Sequence, residues 1–167
     1  MGVGTDTLIR VVFWEPEIPG NTGNAIRLTA CTPAELHLIE PLGFNFEDKQ
    51  LRRAGLDYHD LARVVVHPDA DTAFAALQPA RIFAFTRNAA TSYADIAYRP
   101  GDVLLFGRES VGLSAEVLAH PAVTEQVRLP MLAARRSLNL SNCAAIGLFE
   151  AWRQLGFPAS DGPREPA

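Results

Sequence analysis

A dense group of polar side chains lies immediately before a long apolar segment near the carboxyl end of the chain. Residues 129–142 read LPMLAARRSLNLSN. The polar members of this run add little to a core; they are Arg135, Arg136, Ser137, Asn139, Ser141 and Asn142. Because the first N–H groups of a helix have no partner inside the helix, polar residues at that point can help to hold a ligand, above all an anion.

Two further polar segments follow predicted strands. Residues 16–27 read PEIPGNTGNAIR, in which Gly and Asn permit tight turns and Arg27 stands about one turn into a helix, where it can face an anion. A plain turn with a helix cap explains the same residues. Residues 106–114 read FGRESVGLS and place Glu109 between two glycines. Glu109 can accept a hydrogen bond from a substrate, cap a neighbouring helix or pair with Arg27.

The elements that must position these segments alternate along the chain. Apolar and β-branched runs predict strands at 8–14, 35–39, 62–67, 81–86, 102–107 and 125–130. Helices are predicted from a turn at 19–24 to about residue 31, and at 48–53, 69–77, 114–119 and the last apolar segment. This order predicts an α/β fold with a parallel sheet flanked by helices. Ligands of such sheets bind at the carboxyl ends of strands, where all three polar segments lie.

The last helix carries an apolar stripe at helical spacing. The stripe consists of Ala145, Leu148, Phe149, Trp152 and Leu155. Such a stripe is usually core, although a dimer contact has the same pattern. Gly156 and Pro158 end the helix, and the Pro- and Gly-rich residues 159–167 are predicted to be a disordered tail.

Composition limits the possible classes of function. The chain has 167 residues, 48% of them hydrophobic, which is the size of one domain. No apolar run approaches the roughly 20 residues that cross a bilayer, and the first ten residues do not resemble a signal peptide, so we expect a cytoplasmic protein. The two cysteines are too few for a disulfide scaffold, and no metal-ligand spacing is present, so we expect no metal.

The net charge argues against binding nucleic acid by a globally basic surface. The formal net charge is −4 and the pI is about 5.5. A local basic face remains possible, and its candidates are Lys49, Arg52, Arg53, Arg135 and Arg136. Solubilising charge scattered over the surface is the alternative interpretation.

The three segments together resemble the SPOUT RNA methyltransferases. Their order is PEIPxNTGNxxR, then FGxExxGL, then PM followed by RSLNLSN, and LRRAGLDYH at 51–59 and EAWRQLG at 150–156 add to the likeness. Over residues 8–158 the chain looks most like the small tRNA 2′-O-methyltransferases that modify the wobble nucleotide, cytidine or 5-carboxymethylaminomethyluridine. The resemblance implies that residues 1–158 form one domain with a deep C-terminal trefoil knot. It also implies that the knot binds S-adenosylmethionine and that two subunits form a homodimer about helices that include the last one.

The resemblance also assigns site residues. The catalytic and RNA-binding positions would be Asn21, Arg27, Glu109, Ser137 and Asn139. The cofactor pocket would be lined by Phe85, Gly107, Leu129 and Ser137, with Thr86, Met131, Leu138 and Asn142 as neighbours. In the family, the matching arginine is proposed to activate the ribose hydroxyl. A guanidinium with a pKa above about 12 is a poor base, so we expect Arg27 to hold the adjacent phosphate more readily than to remove the hydroxyl proton. The RNA partner would be the anticodon arm of tRNA, held by the basic face of a dimer.

Other classes of function stay open. A binding module could keep the pocket without turnover, and a methyltransferase could act at another tRNA or rRNA position. An enzyme with Cys143 as its nucleophile is a third hypothesis, but no His or acid lies in a recognisable partner motif.

Overall fold

The computed structural model describes residues 7–47, 49–53, 60 and 63–162, and for Gln50 and Arg52 it describes the backbone alone. The strands are β1 (Ile9–Trp14), β2 (Ala34–Ile39), β3 (Val65–His67), β4 (Ile82–Phe85), β5 (Thr91–Ser92), β6 (Asp102–Phe106) and β7 (Val123–Arg128). The helices are α1 (Pro19–Ala30), α2 (Lys49–Arg52), α3 (Ala70–Leu77), α4 (Ala115–Leu118) and α5 (Leu140–Gln154), with a 3₁₀ turn at Tyr93–Asp95.

The described strands form one parallel sheet, which confirms the predicted fold class. Their order is β3-β2-β1-β6-β4-β7-β5, and every neighbouring pair is parallel. The central strand β6 is buried along its whole length, as expected of a strand covered on both faces. Strand β5 was not predicted, because two residues are too few for a periodic pattern.

Helices cover both faces of the sheet. On one face, α1 and α5 pack over alternate strand residues such as Phe13 and Leu104. On the other face, α3 inserts Phe74 against residues that include Ile82 and Leu105. Helix α5 lies so close to the sheet that a Cβ on Gly147 would stand 3.1 Å from Cζ of Phe85. This contact places the middle of α5 beside the carboxyl end of β4.

Two local predictions were wrong, and one residue of the α5 stripe lies outside the core. Residues 19–24 are already helical, because Pro19 occupies the first helical turn, where its missing N–H costs nothing. Strand β3 begins at Val65 rather than residue 62; residues 61 and 62 lie outside the described part of the chain. In α5, Leu148 and Trp152 are buried as predicted, but Phe149 is 45% exposed and Ala151 takes its place in the core.

The predicted domain, residues 1–158, and the predicted disordered tail, residues 159–167, stay predictions. Residues 159–162 are exposed and have no regular structure, and residues 163–167 lie outside the described part. Among the described helices, none has both the length and the apolar character that a membrane crossing requires. The described residues also contain no cluster of His, Cys, Asp or Glu that could hold a metal ion.

Candidate active site

A cavity of about 720 Å³ opens at the carboxyl ends of β4, β6 and β7. Its walls come from residues 85–88 and 106–113, from Leu129 and Met131, from residues 137–140 and Cys143 at and before the start of α5, and from Ile18 and Asn21 at the start of α1. The volume falls within the range of about 300–1,000 Å³ that small-molecule sites occupy. The three polar segments identified in the sequence therefore meet at one cavity, as the rule for parallel sheets predicts.

Most of the predicted cofactor residues line this cavity. They are Phe85, Thr86, Gly107, Leu129, Met131, Ser137 and Leu138. Asn142 differs from the prediction, because it lines a second cavity on the other side of α5. Asn142 is one residue before Cys143, which lines the large cavity, and one residue on a helix is a rotation of about 100°, so Asn142 faces a different side of α5.

Glu109 binds the amino end of α1. Its carboxylate accepts the backbone N–H of Glu17 at 2.8 Å and that of Ile18 at 3.1 Å. It also accepts the side-chain N–H of Asn21 at 3.1 Å. A carboxylate at this place satisfies N–H groups near the start of α1 and interacts favourably with the helix dipole. Of the three interpretations of Glu109, the helix cap is therefore the one that its contacts display.

Asn21 and Asn139 join the two walls of the cavity. Asn139 donates its side-chain N–H to Oδ1 of Asn21 at 2.9 Å. The Oδ1 of Asn139 is also the N-cap of α5, and it accepts the N–H groups of Ser141 and Asn142 at 3.0 and 3.2 Å. A continuous set of hydrogen bonds thus runs from Glu109 through both asparagines to the start of α5.

Gly107 is required by the close approach of the chain to itself. A Cβ at this position would lie 2.2 Å from both the carbonyl carbon of Gly112 and the backbone nitrogen of Leu113. Residues 108–112 form a turn, which is closed by two backbone hydrogen bonds between Arg108 and Gly112. Any side chain at residue 107 would therefore displace this wall of the cavity.

Arg27 does not line the large cavity. It lines a second cavity of about 330 Å³ between α1 and α5, together with Asn24, Leu28, Cys31, Ser141, Asn142 and Ala145. Arg27 follows Asn21 by six residues, which on a helix is about 9 Å along the axis and about 120° around it. The structure therefore brings Asn21, Glu109, Ser137 and Asn139 together at the large cavity and places Arg27 at a separate one.

The predicted RNA-binding residues lie on two surfaces. Lys49 and Arg53 are exposed at α2, which packs beside α1, and the side chain of Arg52 lies outside the described residues. Arg135 and Arg136 are exposed in the segment between β7 and α5. That these residues act as one basic face stays a prediction.

Sequence reasoning missed part of the cavity wall. Arg87, Asn88, Ser110, Val111 and Leu113 also line it. The first two could have been found, because they follow β4 as Phe85 and Thr86 do. Glu17 also went unrecognised, although its carboxylate accepts two hydrogen bonds from Ser110.

Cys143 also lines the cavity, but it is poorly suited to nucleophilic attack. Burial raises the pKa of the Cys143 thiol to about 11. Since the thiolate is the reactive form, the thiol remains protonated at neutral pH. This finding weighs against the hypothesis of a cysteine nucleophile.

Comparisons with known proteins identify the family of the chain. Residues 8–149 match the SpoU rRNA Methylase family. A protein of Burkholderia pseudomallei (strain 1106a) named tRNA (cytidine(34)-2′-O)-methyltransferase is 54% identical over 153 residues, which are 90% of this chain and 97% of the relative. A solved structure described as "Structural insights into the 2-OH methylation of C/U34 on tRNA" has a TM-score of 0.81 and 40% identity, covering 91% of this chain and 99% of that chain.

A structure with bound cofactor is also similar. The SpoU methyltransferase AviRb from Streptomyces viridochromogenes, in complex with the cofactor AdoMet, has a TM-score of 0.76 and 25% identity. The alignment covers 91% of this chain and 62% of AviRb. The family match covers most of the chain, and one relative is more than 50% identical to it, so this chain belongs to the SpoU rRNA Methylase family.

Proposed function

We propose that this chain is a tRNA 2′-O-methyltransferase that uses S-adenosylmethionine to methylate the ribose of the wobble nucleotide, cytidine or 5-carboxymethylaminomethyluridine. The observation that carries the proposal is the meeting of Asn21, Glu109, Ser137 and Asn139 at one cavity. The relative from Burkholderia pseudomallei, named tRNA (cytidine(34)-2′-O)-methyltransferase, supports the choice of nucleotide.

The large cavity fits the proposed cofactor. Phe85, Leu129, Met131 and Leu138 provide an apolar wall that suits an adenine ring and a methionine chain. The one acid among the described lining residues, Glu109, has its carboxylate engaged by N–H groups at the start of α1. When bound, S-adenosylmethionine would supply an electrophilic methyl group on a sulfonium sulfur.

The residues of the chain would then orient the ribose and its neighbouring phosphate. In-line transfer to a hydroxyl depends mostly on positioning and on removal of the hydroxyl proton. Asn21 and Asn139 would hold the two walls of the cavity at a fixed separation. We assign Arg27 to the phosphate next to the reacting ribose, since a guanidinium keeps its proton at neutral pH and binds phosphate well.

The homodimer is part of the proposal. Ala145 lines the small cavity that contains Arg27, and Ile146 and Phe149 lie on the same side of α5 as Ala145. We call the small cavity and these two residues the groove. Ile146 is 39% exposed and Phe149 is 45% exposed, so a second subunit packed on this groove would cover apolar surface. Sedimentation equilibrium at micromolar concentration tests this contact, and a monomer there would remove it from the proposal.

The trefoil knot and the cellular location belong to the same proposal. Residues 107–113 line the large cavity together with Leu129, Met131 and residues 137–140, and the resemblance assigns a knotted cofactor pocket to these segments. Action on tRNA favours a cytoplasmic protein. Lys49, Arg52, Arg53, Arg135 and Arg136 would provide the electrostatic attraction for the anticodon arm.

A matched pair of RNA substrates tests the proposal. One tRNA transcript carries an ordinary wobble nucleotide and the other carries a 2′-deoxy nucleotide at that position alone. We expect labelled methyl transfer to the first and none to the second, because the second lacks the accepting hydroxyl. Equal labelling of both would reject the wobble position, and cofactor binding without labelling of either would favour the binding-module hypothesis.

A further inference from the structure

Two acidic residues at the large cavity each accept hydrogen bonds from the segment that carries the other acid. As described, Glu109 accepts the N–H groups of Glu17 and Ile18. In return, the carboxylate of Glu17 accepts the N–H of Ser110 at 3.0 Å and its hydroxyl at 2.9 Å. Each acid therefore holds the backbone next to the other acid. We call this arrangement of Glu17, Glu109 and Ser110 the acid clasp.

A third segment fixes the backbone of Glu17 from another direction. Gly43, which follows β2, donates its N–H to the carbonyl of Pro16 at 2.9 Å. A Cβ on Gly43 would lie 2.6 Å from the carbonyl oxygen of Glu17 and 2.7 Å from its Cα. The backbone of Glu17 is thus held between Gly43 and the acid clasp, and a side chain at residue 43 would push it away.

We infer that Glu17 is a positioning residue for the cofactor cavity, an inference that rests on the proposed function. Glu17 is not among the residues that line the cavity, but the whole Gly107–Gly112 loop is. By binding Ser110, Glu17 holds this loop, and through Glu109 the acid clasp also orients the side chain of Asn21. Glu17 therefore acts on the cofactor through the loop that it holds.

The negative charge of Glu17 is what the acid clasp needs. One carboxylate oxygen faces the N–H of Ser110 and the other faces its hydroxyl, and hydrogen bonds to an ionised acceptor are about twice as strong as neutral ones. The substitution Glu17→Gln keeps the size of the side chain, removes the charge and replaces one acceptor by a donor. The loop would then lose its anchor, and the cavity would no longer be preorganised for the cofactor.

The test is calorimetric titration of the full chain with S-adenosylmethionine, without RNA. We expect Glu17→Gln and Gly43→Ala each to raise the Kd about tenfold, since each releases the same charge-assisted contacts. Ser110→Ala should have a smaller effect, because it keeps the backbone N–H. As matched controls, Glu47→Gln removes an exposed acid and Gly20→Ala adds a Cβ that meets nothing within 4 Å, so both should leave the Kd unchanged.

Kinetics distinguish positioning from a merely structural role. For Glu17→Gln we expect a higher KM for S-adenosylmethionine and a kcat near the wild-type value at saturating cofactor. A variant that was only less stable would lose active molecules, which lowers kcat and leaves KM unchanged. Folded Glu17→Gln protein with the wild-type Kd would overturn the inference, and Gly43→Ala decides the same question if Glu17→Gln does not fold.

Failure of the proposed function gives a different result. Wild-type protein that binds S-adenosylmethionine but methylates no RNA would reject the proposed reaction, while the Kd values would still judge the acid clasp. Wild-type protein that does not bind S-adenosylmethionine would reject both.

Discussion

Helices α1 and α5 each border both cavities, yet the two cavities are built differently. The large cavity has walls made of loops, and its polar groups, Glu109, Asn21 and Asn139, are tied to one another by hydrogen bonds. The small cavity lies between the two helices, and three of its polar residues, Asn24, Arg27 and Asn142, are exposed. A preorganised pocket suits a small cofactor, whereas an exposed groove suits a large partner. The difference predicts that cofactor binding and RNA-dependent steps can be separated by mutation.

The largest effect is expected from Arg27→Ala in the small cavity. Turnover should fall at least about 100-fold, the low end of the loss when one positioned donor is removed. The Kd for S-adenosylmethionine should stay unchanged, because Arg27 does not line the large cavity. Arg99→Ala, which removes an exposed arginine at the amino end of β6, is the control for charge. Retained methylation would contradict the role of Arg27.

In contrast to Arg27→Ala, Gly107→Ala should weaken binding of the cofactor. The added Cβ would overlap the backbone of Gly112 and Leu113, so the loop must shift and the affinity for S-adenosylmethionine should fall at least tenfold, roughly the effect of 1.4 kcal/mol. Calorimetric titration measures this change. An unchanged Kd would mean that the cofactor does not bind in the large cavity.

A buried histidine pair that lines neither cavity should affect stability alone. Burial lowers the pKa of His37 to about 4, although Glu35 opposes the shift, and burial also lowers the pKa of His67. The folded state therefore favours neutral histidine, and the stability that His37 contributes above pH 6.5 is lost as the pH falls towards 4.

Urea unfolding at several pH values measures this loss. Wild type should lose more stability than His37→Gln between pH 6.5 and 4, because the variant has no proton to bind at residue 37. If the free energy of unfolding changed with pH in the same way for wild type and His37→Gln, the claim that burial lowers the pKa of His37 would be contradicted.

The basic residues between β7 and α5 should control the salt dependence of RNA binding. Replacing Arg135 and Arg136 together by Ala should weaken tRNA binding and reduce the slope of log K against log salt by about 2, one for each phosphate contact. Cofactor affinity should not change. Filter binding between low and moderate salt checks this, with Arg63→Ala and Arg99→Ala together as the control. A flat salt dependence of the wild type would remove the electrostatic account.

The smallest effect is expected from Asn139→Ala. Loss of the N-cap of α5 should cost about 1 kcal/mol and lower the Tm by about 3 °C. The same variant loses the contact with Asn21, so the Kd for the cofactor should also rise. Asp69→Ala removes the cap of α3, where Asp69 accepts the N–H of Thr72 at 2.7 Å, and should lower the Tm alone. Equal Kd values for both variants would show that the asparagine contact does not shape the cavity.

The sequence predicted the parallel sheet and the meeting of three polar segments, because strand periodicity and the carboxyl-end rule are local properties with a fixed spatial outcome. The resemblance to the SPOUT methyltransferases is confirmed by the family match. The acid clasp could not be predicted, because Glu17 and Ser110 are 93 residues apart and no local pattern pairs them. The separation of Arg27 from Asn21 depends on α1 beginning at Pro19, whereas the sequence was interpreted as a turn there.

The most direct test of the account is labelled methyl transfer to bulk tRNA that lacks wobble 2′-O-methylation, followed by nucleoside mapping. The account predicts label on the ribose of the wobble nucleotide with wild-type protein. It predicts no label with Arg27→Ala, which should still bind S-adenosylmethionine with the wild-type Kd. Label at another nucleotide would support methyl transfer but reject the wobble nucleotide as the substrate. Equal labelling by both proteins would contradict the claim that the large cavity binds the cofactor while the small cavity serves the RNA-dependent step.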